Sequence, residues 1–503
     1  LTDHDTGRSS GDWPRPRLPD RFEAPTLHRP PAGLVSHGPR VTSRSQDPDA
    51  SRLHVPRWPR TESPRAEARR DDLHRHRRVS TGGLVVAELA AGIAPGDSAA
   101  VLVFEHTWAA PFRDAVVDSG GVLLANFRVP GDVVDDVLAA VADLAESEVR
   151  PRVRAMEDAG QIDPALTAKF VELGLMGIEL PDEFGGAGGS LMMVAIAVEE
   201  LSKVDASAAI QVDVQNTLVN YPLYRYGNAE QRARILPRMT AGTIGAYALS
   251  EPGSGSDAFG LATRAEKVDG GWTLNGSKAW ITNGNEADVF VVFANTRPDM
   301  GYKGITAFIV ERGAAGFSVG KKEHKLGICA SSTTSLHFEN TFVSDANVLG
   351  EVGTGYKIAI ETLNEGRIGI GAQMIGVAQG ALTAAVAHLK ERKQFGKALA
   401  DFQGIQFQVA QAATELEAAR LMVYNAARLK DAGQDIAREG AMAKLYSSQM
   451  AERVTSLCVE LFGGYGYTRE YPVEKFYRDA KIGTIYEGTS NMQLNTIAKA
   501  VLR

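Results

Sequence analysis

The chain contains 503 residues, of which 44% are hydrophobic and 23% charged, and its formal net charge is -7. This composition is typical of a soluble globular protein, and the acidic balance excludes a general nucleic-acid binder, which needs a basic surface. Cys329 and Cys458 are the only cysteines, too few for a disulfide framework or a multi-cysteine metal site. We predict no metal site, and no membrane span because no apolar run reaches about 18 residues.

The first quarter of the chain differs from the rest. Residues 1 to about 80 are rich in Arg, Pro, Ser, Asp and His and contain no lysine. Such a segment buries too little apolar surface to offset its ordering entropy, so we predict disorder. Residues 84–125 are more apolar but follow no assignable pattern. Because the chain starts with leucine, we hypothesise that residues 1–125 are disordered or a misannotated extension of the reading frame. A basic contact patch and a transit peptide are the alternatives, and scattered acids and prolines oppose the latter.

Helical periodicity begins after this leader. Val134, Val137, Leu138, Val141 and Leu144 recur at a spacing of three and four, with Asp132 as the predicted N-cap. Residues 164–174 and 192–201 predict further helices. We therefore expect an N-terminal helical domain over residues 126–245.

The periodicity then changes to that of strands. Residues 272–276, 288–295 and 305–311 are rich in Val, Ile, Phe and Thr and are bounded by Gly, Asn and Pro. These patterns predict a middle β domain over residues 246–350.

Helical spacing returns after Tyr356 and persists to the end of the chain. Its longest stripe runs from Val409 through Leu416 to Ala426 and contains many small residues, which allow close helix packing. We predict a C-terminal four-helix bundle over residues 351–503. The fold class is therefore mainly α with a central β domain.

One acid near the C-terminus is a candidate catalytic base. Glu487 stands between Tyr486 and Gly488, in a segment with hardly any other charge before Lys499. Apolar surroundings raise a glutamate pKa from about 4.3 toward neutrality, where proton abstraction is efficient. The alternative is a solvated acid in an ordinary Glu-Gly turn.

Other motifs favour the catalytic interpretation of Glu487. They are YALSEPGSGSD at 247–257, WIT at 280–282, NEGR at 364–367, RKQFG at 392–396 and YEGTSN at 486–491. Together they resemble the acyl-CoA dehydrogenase family from about Phe127 onward. The longer stretches GYKGIT, LNEGRIGI, LEAARLMVYNAARL and RDAKIGTIYEGTSNMQLNTIAKA resemble most of all its short/branched-chain members. The resemblance implies an N-terminal helical domain, a middle β-barrel-like domain and a C-terminal four-helix bundle.

The same resemblance assigns roles to individual residues, each of which could alternatively fill a turn, a core or a helix end. Implied FAD contacts are Tyr247, Leu249, Ser250, Ser256, Trp280, Thr282, Thr489 and Asn491, with Arg392, Gln403, Glu460, Gly463 and Gly464 reaching the FAD of a neighbouring subunit. Implied substrate contacts are Ser256, Tyr302, Tyr356, Asn364, Arg367 and Gly488, with Arg367 near the CoA nucleotide. Glu365 is a rival base, but the position that carries the alternative base in some relatives corresponds to Gly366.

The implied reaction is FAD-dependent α,β-dehydrogenation of short or 2-methyl-branched acyl-CoA, with Glu487 removing the α-proton. Electrons would pass to an electron-transferring flavoprotein, in fatty acid and isoleucine or valine degradation. A homo-oligomer, specifically a tetramer, is expected, in the cytoplasm of a bacterium or the mitochondrial matrix of a eukaryote. The alternatives are an oxygen-using acyl-CoA oxidase, which usually carries a further C-terminal domain, and a non-catalytic binding protein on the same scaffold.

Overall fold

The computed structural model describes residues 131–502, with side chains described from residue 137. The predictions for residues 1–125 lie outside this range. The N-terminal helices are α1 Gly131–Leu144, α2 Val153–Ala159, α3 Pro164–Glu172, α4 Leu191–Ser202, α5 Ala206–Asp213, α6 Tyr221–Tyr226 and α7 Ala229–Thr240. Short π and 3-10 turns continue α1 over Ala145–Val149 and Arg150–Arg152, and a π turn, Val214–Asn220, joins α5 to α6.

Local capping explains several of these helix starts. Asp163 accepts a hydrogen bond from the Ala165 amide ahead of α3, and Asn228 forms a capping box with Gln231 at the start of α7. The prediction for α1 was wrong in one detail. The helix begins at Gly131, so Asp132 is its second residue rather than its N-cap.

The middle region contains an eight-stranded sheet. Its strands are β1 Gly245–Ala248, β2 Arg264–Val268, β3 Gly271–Thr282, β4 Val289–Asn295, β5 Ile305–Glu311, β6 Phe317–Lys322, β7 Thr333–Ser344 and β8 Val348–Leu349, and 3-10 turns occupy Pro298–Gly304 and Asp345–Asn347. The hydrogen-bonded order is β6-β7-β3-β2-β4-β5-β8, and β1 pairs in parallel with β4. Alternate residues of β4 contact two different cores, with Phe293 in the helical core and Phe290 in the sheet core. Both faces of β4 are therefore buried, which explains its nearly continuous apolar run.

The C-terminal region is helical. Its helices are α8 Gly355–Glu391, α9 Gln403–Asp431, α10 Ala437–Phe462, α11 Val473–Ala480 and α12 Ser490–Val501, with a small hairpin of β9 Lys393–Gln394 and β10 Lys397–Ala398. Helices α8, α9 and α10 pack against one another, and α8 also packs on α4. Helix α8 is long and apolar enough to cross a membrane by length and composition, but 72% of its most apolar 18-residue window is buried within the fold. It is thus the central core helix of this region.

A buried ion cluster connects the helical regions to the sheet region. Lys475 on α11 contacts Asp205 and Asp479, each at 2.6 Å, and Asp479 also accepts a hydrogen bond from the Ile328 amide at 2.5 Å. All three charged side chains are almost fully buried. A buried charge requires such pairing, so the cluster fixes the junction near which the candidate site is built.

Candidate active site

The candidate base lies in a turn with an unusual backbone. Glu487 has a φ of +51° and Gly488 a φ of +84°, between the 3-10 turn Lys481–Thr484 and helix α12. A positive φ costs a non-glycine residue of the order of 1 kcal/mol or more, so surrounding contacts must hold it. Gln493 on α12 donates to the Glu487 carbonyl at 3.0 Å and to the Gly488 carbonyl at 2.8 Å, and Lys444 on α10 donates to the Gly488 carbonyl at 2.7 Å.

The carboxylate of Glu487 points inward. Although the residue as a whole is partly exposed, its Oε2 atom is buried and has no hydrogen-bond partner among the described residues. A Cβ atom placed on Gly366 of α8 would lie 3.1 Å from this Oε2 and 2.9 Å from the Leu218 side chain. The absence of a side chain at position 366 therefore lets the carboxylate lie close to the backbone of α8.

Burial and two cations set the electrostatics of this carboxylate. Desolvation raises the pKa of Glu487 to about 7, and the positive charges of Lys444 and Arg367 partly oppose that rise. Desolvation in turn lowers the pKa of Lys444 to about 8 and also lowers that of Arg367, while the charge of Glu487 opposes both changes. A carboxyl group with a pKa near neutrality is suited to general base catalysis at physiological pH.

Other titratable groups also face this carboxylate. Burial, followed by the charge of Glu487, raises the pKa of the Asp213 carboxyl and of the Tyr247 hydroxyl well above their ordinary values. Asp213 accepts a hydrogen bond from Thr217 at 3.2 Å and lies against Gly369, one turn of α8 beyond Gly366. The Asp213 carboxyl therefore ionises less readily than an ordinary aspartate.

The rival base, Glu365, forms an ion pair with a lysine. Glu365 is fully buried and its Oε1 atom lies 2.6 Å from Nζ of Lys430 on α9. Its neighbour Gly366 is the residue that faces Glu487. Glu365 is thus part of a structural ion pair, whereas the carboxylate of Glu487 has no such partner.

Several residues with implied flavin contacts lie on β1, β3 and the loop that follows β1. Lys278 donates to the Leu249 carbonyl at 3.1 Å and contacts Glu251 at 2.7 Å, and the Ala279 amide donates to the Ser250 carbonyl at 2.9 Å. Tyr247 is buried against Phe293. These bonds fix the backbone of residues 249–251 beside β3.

Trp280 is displayed by an irregularity of β3. The register of β3 against β7 shifts between Lys278 and Ile281, and Trp280 within that bulge has a φ of +62° and is 65% exposed. A bulge re-aims a side chain that would otherwise alternate with its neighbours. Thr282, half-buried, ends the same strand. An indole held out of the core in this way is available to cover a flat ligand.

Other predicted cofactor contacts are more exposed. Ser256 lies on the surface of the loop between β1 and β2, Thr489 immediately precedes α12, and Asn491 is exposed on its first turn. None of the three donates or accepts a side-chain hydrogen bond among the described residues. Their roles remain predictions.

The predicted substrate contacts form two pairs. The rings of Tyr302 and Tyr356 meet edge to face with centroids 5.0 Å apart. Arg367 Nη1 donates to Asn364 Oδ1 at 2.7 Å, while its Nε is buried and has no partner among the described residues. The guanidinium of Arg367 lies within electrostatic reach of Glu487. Its place near the CoA nucleotide stays a prediction.

A separate open cavity of about 750 Å³ lies between the β9–β10 hairpin, α9 and the end of α10. Arg392, Glu460, Gly463 and Gly464 line it, together with His388, which stacks on Phe462. Gln403, the first residue of α9, is exposed and is not part of the lining. Four of the five residues with an implied role toward a neighbouring subunit's cofactor are therefore brought together, and Gln403 is not.

Family models of the acyl-CoA dehydrogenases match the chain in three consecutive parts. The N-terminal domain model matches residues 134–243, the middle domain model residues 246–341 and the C-terminal domain model residues 353–502. The chain belongs to the acyl-CoA dehydrogenase family. It is therefore an oxidoreductase, and the helix, sheet, helix order described above is the fold of that family.

Individual acyl-CoA dehydrogenases are closely similar in sequence to this chain. A probable short/branched chain specific acyl-CoA dehydrogenase of Dictyostelium discoideum is 52% identical over 72% of this chain and 88% of the relative. The short/branched chain specific mitochondrial enzyme of Rattus norvegicus is 51% identical over 72% and 84% of the two chains.

Solved structures agree with these relatives. Butyryl-CoA dehydrogenase from Megasphaera elsdenii is 43% identical with a TM-score of 0.73, over 75% of this chain and all of that one. A chain in the structure of the electron transferring flavoprotein of Acidaminococcus fermentans is 44% identical with a TM-score of 0.74, at the same coverage. A glutaryl-CoA dehydrogenase of Mycobacterium smegmatis, solved with FADH2, is 33% identical with a TM-score of 0.70, over 73% and 94% of the two chains.

Within this acyl-CoA dehydrogenase site, sequence reasoning missed Lys444 and Asp213. Both were detectable as isolated charges on apolar helix faces. Lys444 lies three and four positions from Ala441, Gly440, Ser447 and Ser448, which are all buried. Asp213 ends α5, all of whose residues are buried. A charge on such a face is either paired or functional.

Proposed function

We propose that this chain is an FAD-dependent dehydrogenase of short or 2-methyl-branched acyl-CoA thioesters, with Glu487 as its base and an electron-transferring flavoprotein as its electron acceptor. One observation carries the proposal. Glu487 Oε2 is buried, has no hydrogen-bond partner among the described residues and lies against Gly366, where a side chain would crowd it. The names of the Dictyostelium, rat and Megasphaera relatives support the substrate class, and the Acidaminococcus structure supports the acceptor.

The residues present fit FAD. Trp280 offers an exposed ring next to Thr282, and the buried hydroxyl of Tyr247 lacks a partner among the described residues. The Arg392 cavity offers a guanidinium beside two glycines, a combination suited to a diphosphate because the planar fork pairs with phosphate oxygens. When bound, FAD supplies the hydride acceptor.

Glu487 performs the proton transfer. Its Oε2 accepts the proton from the carbon next to the thioester carbonyl, a role that contributes roughly 10² to 10⁴ in rate. Among the described residues the Glu487 amide has no acceptor, so it can donate to the thioester oxygen as negative charge develops there. One such donor is worth about 3 kcal/mol. The apolar walls formed by Leu218 and the face of α8 exclude water from this reaction.

We infer a homotetramer because the Arg392 cavity is open and Phe395, close to it in sequence, is 95% exposed. Cytoplasmic location in a bacterium, or a mitochondrial matrix location in a eukaryote, follows from bacterial and mitochondrial relatives. A role in isoleucine or valine degradation follows from the proposed 2-methyl-branched substrates.

The test is anaerobic titration of the purified holoenzyme with a panel of acyl-CoA thioesters while flavin absorbance is followed. Wild type should bleach most readily with a short or 2-methyl-branched chain. Glu487→Gln should retain FAD and bind acyl-CoA but lose bleaching. Glu365→Gln, which changes the rival carboxylate, should retain bleaching. Normal bleaching by Glu487→Gln would refute the assignment, and rapid hydrogen peroxide formation by wild type in air would indicate an oxidase instead.

A further inference from the structure

We propose that Lys444 is a positioning residue of this enzyme: its buried ammonium group holds the turn that carries Glu487 and supplies positive charge that offsets the burial of the Glu487 carboxylate. The inference rests on the function proposed above. It assigns to α10 a part in the proton transfer that the sequence motifs did not indicate.

The surroundings of Lys444 distinguish it from the other fully buried lysine side chains. Lys278 lies 2.7 Å from Glu251, and Lys475 lies 2.6 Å from two aspartates. Lys444 is also 0% exposed, but among the described residues no carboxylate lies within ion-pair distance of it. Its ammonium group instead donates to the Gly488 carbonyl at 2.7 Å. Burying an unpaired ammonium group is costly, which argues against a purely space-filling role.

The bond made by Lys444 lies where the backbone most needs support. The positive φ angles of Glu487 and Gly488 direct the carboxylate toward Gly366. Gln493 and Lys444 both donate to the Gly488 carbonyl, from α12 and α10 respectively. Two helices therefore fix the turn from different sides, and only one of them does so with a charge.

The charge of Lys444 acts on Glu487 without consuming its proton-accepting atom. Within residues 131–502 Glu487 Oε2 makes no hydrogen bond, so neither Lys444 nor Arg367 competes with the substrate for it. The remaining titratable groups that face Glu487 are Asp213 from α5 and Tyr247 from β1, whose pKa values burial raises well above their ordinary values, and Tyr486, whose hydroxyl donates to Gln373. Lys444 and Arg367 are thus the cations that favour the ionised base.

The first experiment compares the pH dependence of kcat/KM for wild-type holoenzyme and Lys444→Met, which keeps the length of the side chain but removes its charge and donor. A nearby opposite charge lowers a carboxyl pKa by about 1 to 3 units. The acid limb of Lys444→Met should therefore move upward by about 1 pH unit or more, with about a tenfold loss of rate on that limb. KM for acyl-CoA and FAD content should change little.

The matched control is Gln493→Leu, which removes neutral donors from the same turn. It should lower kcat without moving the acid limb, because no charge is lost. Lys444→Gln serves as a second neutral variant should Lys444→Met not fold, with the same expected upward shift. An acid limb that stays at its wild-type position in the neutral Lys444 variants, or that moves equally in Gln493→Leu, overturns the proposal.

A second readout does not depend on turnover. The infrared carbonyl band of protonated Glu487, identified by its loss in Glu487→Gln, reports the titration of this group in the holoenzyme. Its midpoint should rise in the neutral Lys444 variants, and an unchanged midpoint contradicts the inference. If wild type were not reduced by any acyl-CoA but this midpoint still moved, the proposed function would fail while the role of Lys444 would stand.

Discussion

The buried carboxylate of Glu487 should make the stability of the protein depend on pH. Its pKa in the folded protein is about 7 against an ordinary value of 4.5. The folded state therefore holds this proton over a pH range in which the unfolded chain has released it. Stability from this group is complete below about pH 4.5 and is lost as the pH rises to about 7. A difference of about 2.5 units corresponds to about 3 kcal/mol.

Glu487→Gln removes this dependence because an amide does not ionise. The difference in unfolding free energy between the variant and wild type should therefore grow in favour of the variant by about 2 to 3 kcal/mol between pH 5 and pH 8.5. Urea unfolding of both holoproteins at a fixed FAD concentration measures it, with the exposed Glu183→Gln as the control. A difference that stays constant across this pH range would refute the burial and charge environment described for Glu487.

Two further predictions concern packing and pairing near the site. Gly369→Ala would place a Cβ 1.8 Å from the buried Asp213 carboxyl group and should destabilise the fold by about 1 to 3 kcal/mol. Its control is Gly440→Ala on α10, where the nearest atom is 3.4 Å away, which should be neutral or stabilising by up to about 1 kcal/mol. Urea unfolding measures the free energy of unfolding of both variants. Lys475→Met leaves two buried aspartates unpaired and should cost about 3 to 5 kcal/mol in the same assay, and a loss below about 1 kcal/mol would contradict the described pairing.

The elements of this fold could largely be predicted because their periodicity is strong. The interval 305–311 coincides with β5, and the stripe that ends at Ala426 is buried along α9. The first residue of a helix was harder to predict. Nothing local to Asp132 reveals that α1 already begins at the preceding glycine, since both residues are ordinary at a helix N-terminus.

The site was only partly predictable, for a physical reason. Motifs near Glu487 and Trp280 carry local signals, such as an acid in apolar surroundings or an aromatic residue between strand residues. The titratable groups that influence Glu487 come from α5, α8 and α10, which are far apart in sequence. Their convergence depends on helix packing, so the proximity of Lys444 and Arg367 to Glu487 could not be predicted from the sequence.

Gly366 and Glu487 belong to segments that are distant in the chain, yet a side chain on either one would occupy the same small volume. The position of the reactive acid and the identity of the segment that supplies it are therefore separable properties of this scaffold. Moving the acid from the turn to the helix would therefore require changes at both positions together, because a side chain at position 366 meets Glu487 in its present conformation.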